Sequence, residues 1–376
     1  MGKTIVALVS DQTIPNVMFI KANGDAERLV FITTEEMEKN QKTHWILKSL
    51  MAKDSDRIIV SEQSISEIKA ELDKYPFFDG GAEIIVNLTG GNKIMSLAVH
   101  DYFKEKSLLG QKGIGMYYLN VGKDKFDKVF PSEESNCIES YHCNLKEYLT
   151  AYSIDEEKTG KLPLMKFEKT WEFYSKIFKP ERNTIEIIQK KIGSNLDKYK
   201  KLLEQLSGND KKDVLELCKK VFEDREFTKS RIKYLTGGWF EEYIYFLIKR
   251  GLKLNEEQIC LNLEIKDKSL LGEAAANELD VIFIHKNKIN IIECKTGLKD
   301  VSGKSILGDV LYKQSALKKS FGLTAKSFLF LPDVLLGNEE HKKRAKIYGI
   351  DIVDDKEMLL DEGRFRSEFL EKNKFV

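Results

Sequence analysis

Five short apolar runs rich in strand-forming residues, Thr4 to Val9, Arg28 to Ile32, Arg57 to Val60, Glu83 to Leu88 and Gly115 to Leu119, alternate with segments of helical spacing. No other feature of the chain narrows the possible folds so far. Strand and helix in alternation imply a mostly parallel sheet covered by helices on both faces, so an α/β, Rossmann-like domain is expected. Thr33 with Glu36 reads as a capping box for the helix running to Leu50, and Ser64 opens another toward Tyr75.

The pattern then changes twice. From about Tyr152 to Arg231 strand signals vanish, and a Lys/Glu-rich stretch places Ile185, Ile188 and Ile192, then Val214, Leu217 and Val221, at helical intervals. After Gly237 the order is a helix (Trp239 to Lys249), three strands (Gln258 to Ile265, Glu278 to Ile284, Lys288 to Glu293), a helix (Lys304 to Ser320) and a strand (Ser327 to Leu331). A chain of 376 residues exceeds what one core usually supports. Residues 1–150 therefore read as a first domain, 151–230 as a helical connector and 231–376 as a second α/β domain.

Composition supports folding throughout, since 42% apolar residues are too many for a disordered chain. No apolar run approaches the ~20 residues that cross a bilayer, and Met1 to Ser10 is too short for a secretory signal. A cytoplasmic protein with no membrane partner is expected. The five scattered cysteines read as reduced thiols, and Cys137 and Cys143 beside His142 fit no common zinc spacing. A net charge of +1 leaves a nucleic-acid partner open, because local patches rather than totals attract phosphates.

The chemistry concentrates around the polar segment His285 to Lys288, which separates the apolar runs Val281 to Ile284 and Ile289 to Ile292 and suggests a β-hairpin. A two-residue loop of Lys286 and Asn287, or a four-residue loop in the same register, places Asp280 opposite Glu293 and Glu278 opposite Lys295. Alternation along the strands would put all four on one face. Because the flanking residues are apolar at consecutive positions, both faces of the hairpin look buried, and charges there need a reason. Two facing carboxylates repel unless a cation lies between them, and Mg²⁺ or Mn²⁺ fits that need. Lys295 would then orient an attacking water or stabilise charge building on a phosphate, which is the chemistry of phosphodiester hydrolysis.

Asp280 followed by Glu293-Cys294-Lys295 resembles the motif of the restriction-endonuclease-like, or PD-(D/E)XK, nucleases, over roughly Gly237 to Leu331. The resemblance implies that Asp280, Glu293 and the backbone carbonyl of Cys294 bind the metal and that Lys295 assists catalysis. An upstream helix in such nucleases often adds an acid, and Gly237-Gly238-Trp239-Phe240-Glu241 looks like that segment, with Glu241 or Glu242 as candidates. Leu279 stands where the family name has proline. Gln314 and Tyr312 lie on the next helix, where polar groups often approach the substrate.

In the first half, the Glu83 to Leu88 strand runs into Thr89-Gly90-Gly91-Asn92-Lys93 and then an apolar helix. Glycines let a phosphate approach the backbone, a helix N-terminus offers free N–H donors, and Lys93 can add a cation. The sequence is neither a Walker A loop nor a dinucleotide fingerprint. The first strand ends in Ser10-Asp11-Gln12-Thr13 at the same carboxyl edge, where ligands of open α/β sheets bind.

Together these features resemble the CARF sensor domains of CRISPR-associated proteins, over roughly residues 1–145. The segment Asn87-Leu88-Thr89-Gly90-Gly91-Asn92-Lys93 carries most of the likeness. The resemblance implies binding of cyclic oligoadenylate across the two-fold axis of a homodimer, with Ser10, Asp11, Gln12, Thr13, Asn87, Thr89, Gly90, Gly91, Asn92 and Lys93 as contacts. A CARF domain joined to this nuclease type resembles the cyclic-oligoadenylate-activated effector nucleases of type III CRISPR systems, which cut DNA, RNA or both. The activator expected is cyclic tetra-adenylate. One alternative is a ligand-responsive nucleic-acid-binding regulator that does not cleave, which would be expected to carry a helix-turn-helix. Another is a sensor domain that degrades its own ring.

Overall fold

The computed structural model describes residues 2–120, 122–132, 136–158, 160–192, 199–206, 208–267, 277–298, 303–333 and 339–376. The expected alternation produces a seven-stranded sheet. Its strands are β1 (Lys3–Leu8), β2 (Arg28–Thr33), β3 (Asp56–Ile59), β4 (Glu83–Asn87), β5 (Ile114–Leu119), β6 (Lys125–Phe130) and β7 (Cys137–Glu139). The order is β3-β2-β1-β4-β5-β6-β7, with β1 to β5 parallel and β6 and β7 added antiparallel. The last two strands are largely accessible and carry little apolar pattern, which is why the sequence does not announce them. Ser64 caps its helix as expected, whereas Thr34 rather than Thr33 caps the Glu35–Lys39 helix. Gln41, left-handed at φ 56°, then divides that helix from the Lys42–Leu50 helix.

The second sheet contains β8 (Ile154–Lys158), β9 (Ile259–Asp267), β10 (Asn277–His285), β11 (Lys288–Cys294), β12 (Lys326–Phe330) and β13 (Ile350–Val353), ordered β13-β12-β11-β10-β9-β8. Strands β8 to β11 are antiparallel neighbours, and β11 to β13 run parallel. Strand β8 corrects the sequence reading, which took Tyr152 to Arg231 as a helical connector without strands. The run Ile-Asp-Glu-Glu-Lys is an edge strand with almost no apolar content, so periodicity could not reveal it. Beyond it the helices appear as expected, and Ile185, Ile188, Val214, Leu217 and Val221 are buried in one core.

Three helices, Ile14–Asn23, Lys42–Leu50 and Leu145–Ala151, pack in a core that also receives Ile5, Ala7 and Ile85 from the first sheet. Ile282, Ile284, Ile289 and Ile291 of the second sheet enter the same core. Both sheets thus bury a face against one helical layer. The opposite face of the second sheet, including Val281, Phe283 and Ile292, packs beneath the Trp239–Leu252 helix and the connector helices. Burial on both faces accounts for the apolar run Val281 to Ile284 of β10 and for Ile289, Ile291 and Ile292 of β11, among which the buried Asn290 is the polar exception.

Candidate active site and sensor edge

Lys286 and Asn287 both adopt positive φ, 48° and 56°, so the β10–β11 turn is the two-residue primed type. The ladder runs from His285 opposite Lys288 to Val281 opposite Ile292, the expected register, and Asp280 and Glu293 follow next at its open end. Asp280 is 8% exposed and accepts a 2.7 Å hydrogen bond from the Cys294 N–H. Lys295 folds back over the pair. Its Nζ stands 2.6 Å from Glu293 Oε1, 3.7 Å from Asp280 Oδ2 and 3.3 Å from the Cys294 carbonyl. One cation therefore sits against the three oxygens that the motif assigns to a metal.

Burial, then the charges of Glu293 and Glu241, push the Asp280 carboxyl well above the usual carboxylate range, while Lys295 and the Cys294 N–H pull the other way. Burial works against the Lys295 ammonium, but Asp280 and Glu293 outweigh it and raise that group's affinity for its proton. Such a site favours positive charge at its centre. Among the described residues no three His, Cys, Asp or Glu side chains gather closely enough to hold an ion. The fit to a divalent ion thus depends on two carboxylates and a backbone oxygen, the donor set suited to a hard cation that retains water.

The other candidates divide. Glu241, in the first turn of the Trp239–Leu252 helix, accepts a 2.6 Å bond from Asn262 Nδ2, and its charge acts on Asp280. Glu242 is turned elsewhere: it accepts from the backbone N–H groups of Leu164 and Met165 at 2.8 and 3.1 Å, tying the connector to the helix. Burial pushes its carboxyl up to about 7. Glu278 does not pair with Lys295. It meets Lys233 at 3.0 Å and Lys161 at 3.1 Å, because β10 does not keep its alternation through Asp280: Val281 packs in one core and Leu279 in the other. Gln314 is 3% exposed and donates to the Phe328 carbonyl at 2.7 Å, fastening its helix to β12. Tyr312 is 70% exposed.

Sequence reasoning missed Lys233, Lys161 and Asn262, which surround Glu241 and Glu278. None of them carried a signal: Asn262, for one, falls in the polar phase of the alternation that places Ile259, Leu261, Leu263 and Ile265 at every second position of β9.

In the first sheet, β1 and β4 are parallel neighbours at the point where strand order reverses, so their carboxyl ends frame a crevice. A Cβ on Gly90 would lie 2.0 Å from the Leu8 carbonyl oxygen, an approach only glycine allows, and Gly91 has φ 71°. Asn92 caps the Lys93–Leu108 helix by accepting from the Met95 N–H at 2.9 Å, and Thr89 Oγ1 accepts from the Leu119 N–H at 2.9 Å. Lys93 is exposed and makes no ion pair among the described residues. Asp11, also exposed, pairs with Lys42 at 3.1 Å. Ser10 lies partly exposed beside the Gly90 approach.

Three expected ring contacts make hydrogen bonds within the fold. Asn87 is fully buried, accepting from the Thr89 N–H at 3.0 Å and donating to Asn16 at 2.8 Å. Thr13 is buried and donates to the Ala151 carbonyl at 2.5 Å. Gln12 reaches the second domain: its Oε1 accepts from the Tyr152 hydroxyl at 3.0 Å and from the Leu323 N–H at 3.1 Å. Gln12 and Thr13 lie in the expected loop and Asn87 ends β4, and packing decides how far each side chain is engaged.

Two family models match the chain, the Card1 CARF domain over residues 4–148 and the Card1-like endonuclease domain over residues 228–374. No curated protein matches it. Two solved structures share its fold along almost the whole length. One is Can2 from Sulfobacillus thermosulfidooxidans in complex with cyclic tetra-adenylate, at 20% identity and TM-score 0.69, covering 96% of this chain and 98% of that one. The other is protein VC1899 from Vibrio cholerae, at 17% identity and TM-score 0.74, covering 100% of this chain and 99% of that one.

Proposed function

The chain belongs to the CARF-domain effector nucleases, joining a Card1 CARF domain to a Card1-like endonuclease domain, and on that premise we propose that cyclic oligoadenylate binding switches on metal-dependent phosphodiester cleavage. Cyclic tetra-adenylate, the ligand with which Can2 was solved, is the activator proposed. The substrate is DNA, RNA or both, cut as single strands or by nicking, in type III CRISPR antiviral defence. The protein works as a homodimer, because a two-fold ring can meet two sensor crevices alike. Residues 1–150 form the sensor, 151–230 the connector and 231–376 the nuclease, with β8 lent to the nuclease sheet.

The observation that carries this reading is the position of Lys295 Nζ among Asp280, Glu293 and the Cys294 carbonyl. Those three groups would hold Mn²⁺ or Mg²⁺, with Glu241 beside them. When bound, such an ion polarises a phosphoryl oxygen and lowers the pKa of water. Lys295 supplies fixed positive charge where charge builds on the phosphate, held by carboxylates that keep it protonated. At the sensor edge, Lys93, Asn92 and the glycine backbone take the ring's phosphates, with Ser10, Asp11 and Thr89 bordering the crevice.

The ring acts by shifting the dimer between two arrangements, which it can do only by its differential affinity for them. Moving a population from 1:99 to 99:1 takes roughly 5.5 kcal/mol, within reach of several phosphate and base contacts. The shared helical layer and the Gln12 contacts supply a shorter route between the two domains than the connector alone. The test is incubation of the full chain with labelled DNA and RNA, single and double stranded, with each ring nucleotide and Mn²⁺ or Mg²⁺. Cleavage only when ring and metal are both present supports the reading. Metal-dependent cleavage indifferent to every ring removes the sensor role.

A further inference from the structure

Side chains two residues apart on a regular strand share a face. Strand β9 breaks this rule, since Leu261 packs under the Trp239–Leu252 helix while Leu263 packs in the core shared with the first domain. The break falls on Asn262, whose φ is 49°. Asparagine is among the few non-glycine residues that enter the left-handed region readily. Its neighbour β10 breaks in step: Val281, paired with Leu261, enters the first core, and Leu279, paired with Leu263, enters the second. Between those pairs, Asn262 and Asp280 stand opposite each other.

The side chain of Asn262 is held as firmly as its backbone. It is 7% exposed, its Nδ2 donates to Glu241 Oε2 at 2.6 Å, and its Oδ1 meets Lys233 Nζ at 3.5 Å. Lys233 goes on to Glu278 at 3.0 Å. A neutral amide holds Glu241 without adding to the positive charge that Lys233 already brings within 3.9 Å of the same oxygen, so the carboxylate keeps more attraction for a cation than a lysine or arginine in that place would leave it.

We infer that Asn262 is a positioning residue of the nuclease centre, turning β9 at the level of Asp280 and fixing the Glu241 carboxylate beside it. Resting on the nuclease reading of this cluster, the inference makes Asn262 an outer support of the kind whose loss weakens metal affinity about 10–100-fold. Full-length protein is titrated with Mn²⁺ alone by calorimetry. Asn262→Gly keeps the left-handed turn and removes the amide; it is expected to weaken Mn²⁺ binding about tenfold, and Asn262→Val, which also disfavours the turn, to weaken it further. In a Glu241→Gln background, Asn262→Gly has little further effect, because the amide has lost the charge it holds.

Mn²⁺ affinity unchanged by Asn262→Gly overturns the inference. So does a tenfold loss that persists in the Glu241→Gln background, which would mark a merely structural role. Should the native chain bind no Mn²⁺, the metal reading of the cluster fails and this inference with it. Cyclic tetra-adenylate binding, followed in parallel, stays at the native value in Asn262→Gly.

Discussion

A carboxylate as buried as Asp280 must be met by donors or a cation, and the chain provides the Cys294 N–H and the Lys295 ammonium. Asp280→Ala and Glu293→Ala should each lower cleavage by at least about a hundredfold, the scale of losing a principal electrostatic contact at a reaction centre. Ring binding, measured by calorimetry, should stay unchanged. Glu242 makes a different prediction. Its folded carboxyl titrates near about 7 against an ordinary 4.5, so the folded state holds a proton that the unfolded chain gives up between those values. The buried group therefore costs no stability below about pH 4.5, and its cost grows as pH rises toward about 7, to on the order of 3 kcal/mol. The thermal midpoint should fall from pH 5 to pH 8 more steeply in the native chain than in Glu242→Gln. Parallel profiles would contradict this. Residue identity made Asp280, Glu293 and Lys295 legible, since charges bracketed by apolar runs stand out. It could not separate Glu241 from Glu242, because only the helix's docking decides which of two adjacent acids faces β10 and which faces the connector.

Elements differ in how much of their geometry is written locally. The β10–β11 register follows from a two-residue turn, and Asn287 shows why that turn is fixed: its side chain accepts from the Cys143 N–H and donates to the Tyr141 carbonyl. The kink through Asn262 left no such trace, because a left-handed residue inside a strand changes neither its length nor its apolar count. The loop after β4 is legible for the opposite reason. Gly90 passes so close to Leu8 that no side chain fits, and Gly90→Ala should destabilise the first domain by about 1–3 kcal/mol, read as a lowered thermal midpoint. Lys93→Ala removes one exposed cation without touching the fold. It should weaken ring binding and raise the ring concentration needed for cleavage, with cutting at saturation unchanged. Equal ring affinity by calorimetry would remove Lys93 from the sensor site.

At the scale of the whole molecule, the sequence suggested two domains on a connector, and the structure adds that the domains share a core. That sharing was not legible because Ile282, Ile284, Ile289 and Ile291 look the same whether they face a domain's own helices or another's. Its consequence is a coupling prediction. Gln12→Ala should leave ring affinity within about twofold of native and reduce the activation produced by saturating ring, since it removes the Tyr152 and Leu323 contacts without emptying the crevice of cations. Full activation in this variant would return the coupling to the connector. Ring-gated, metal-dependent cleavage is tested most directly by cutting of labelled nucleic acid by the native chain with Mn²⁺, with and without cyclic tetra-adenylate, beside Asp280→Ala under the same conditions. Cutting is expected only from the native chain and only when ring and metal are both supplied; cutting that survives in Asp280→Ala, or that is the same without any ring, would contradict it.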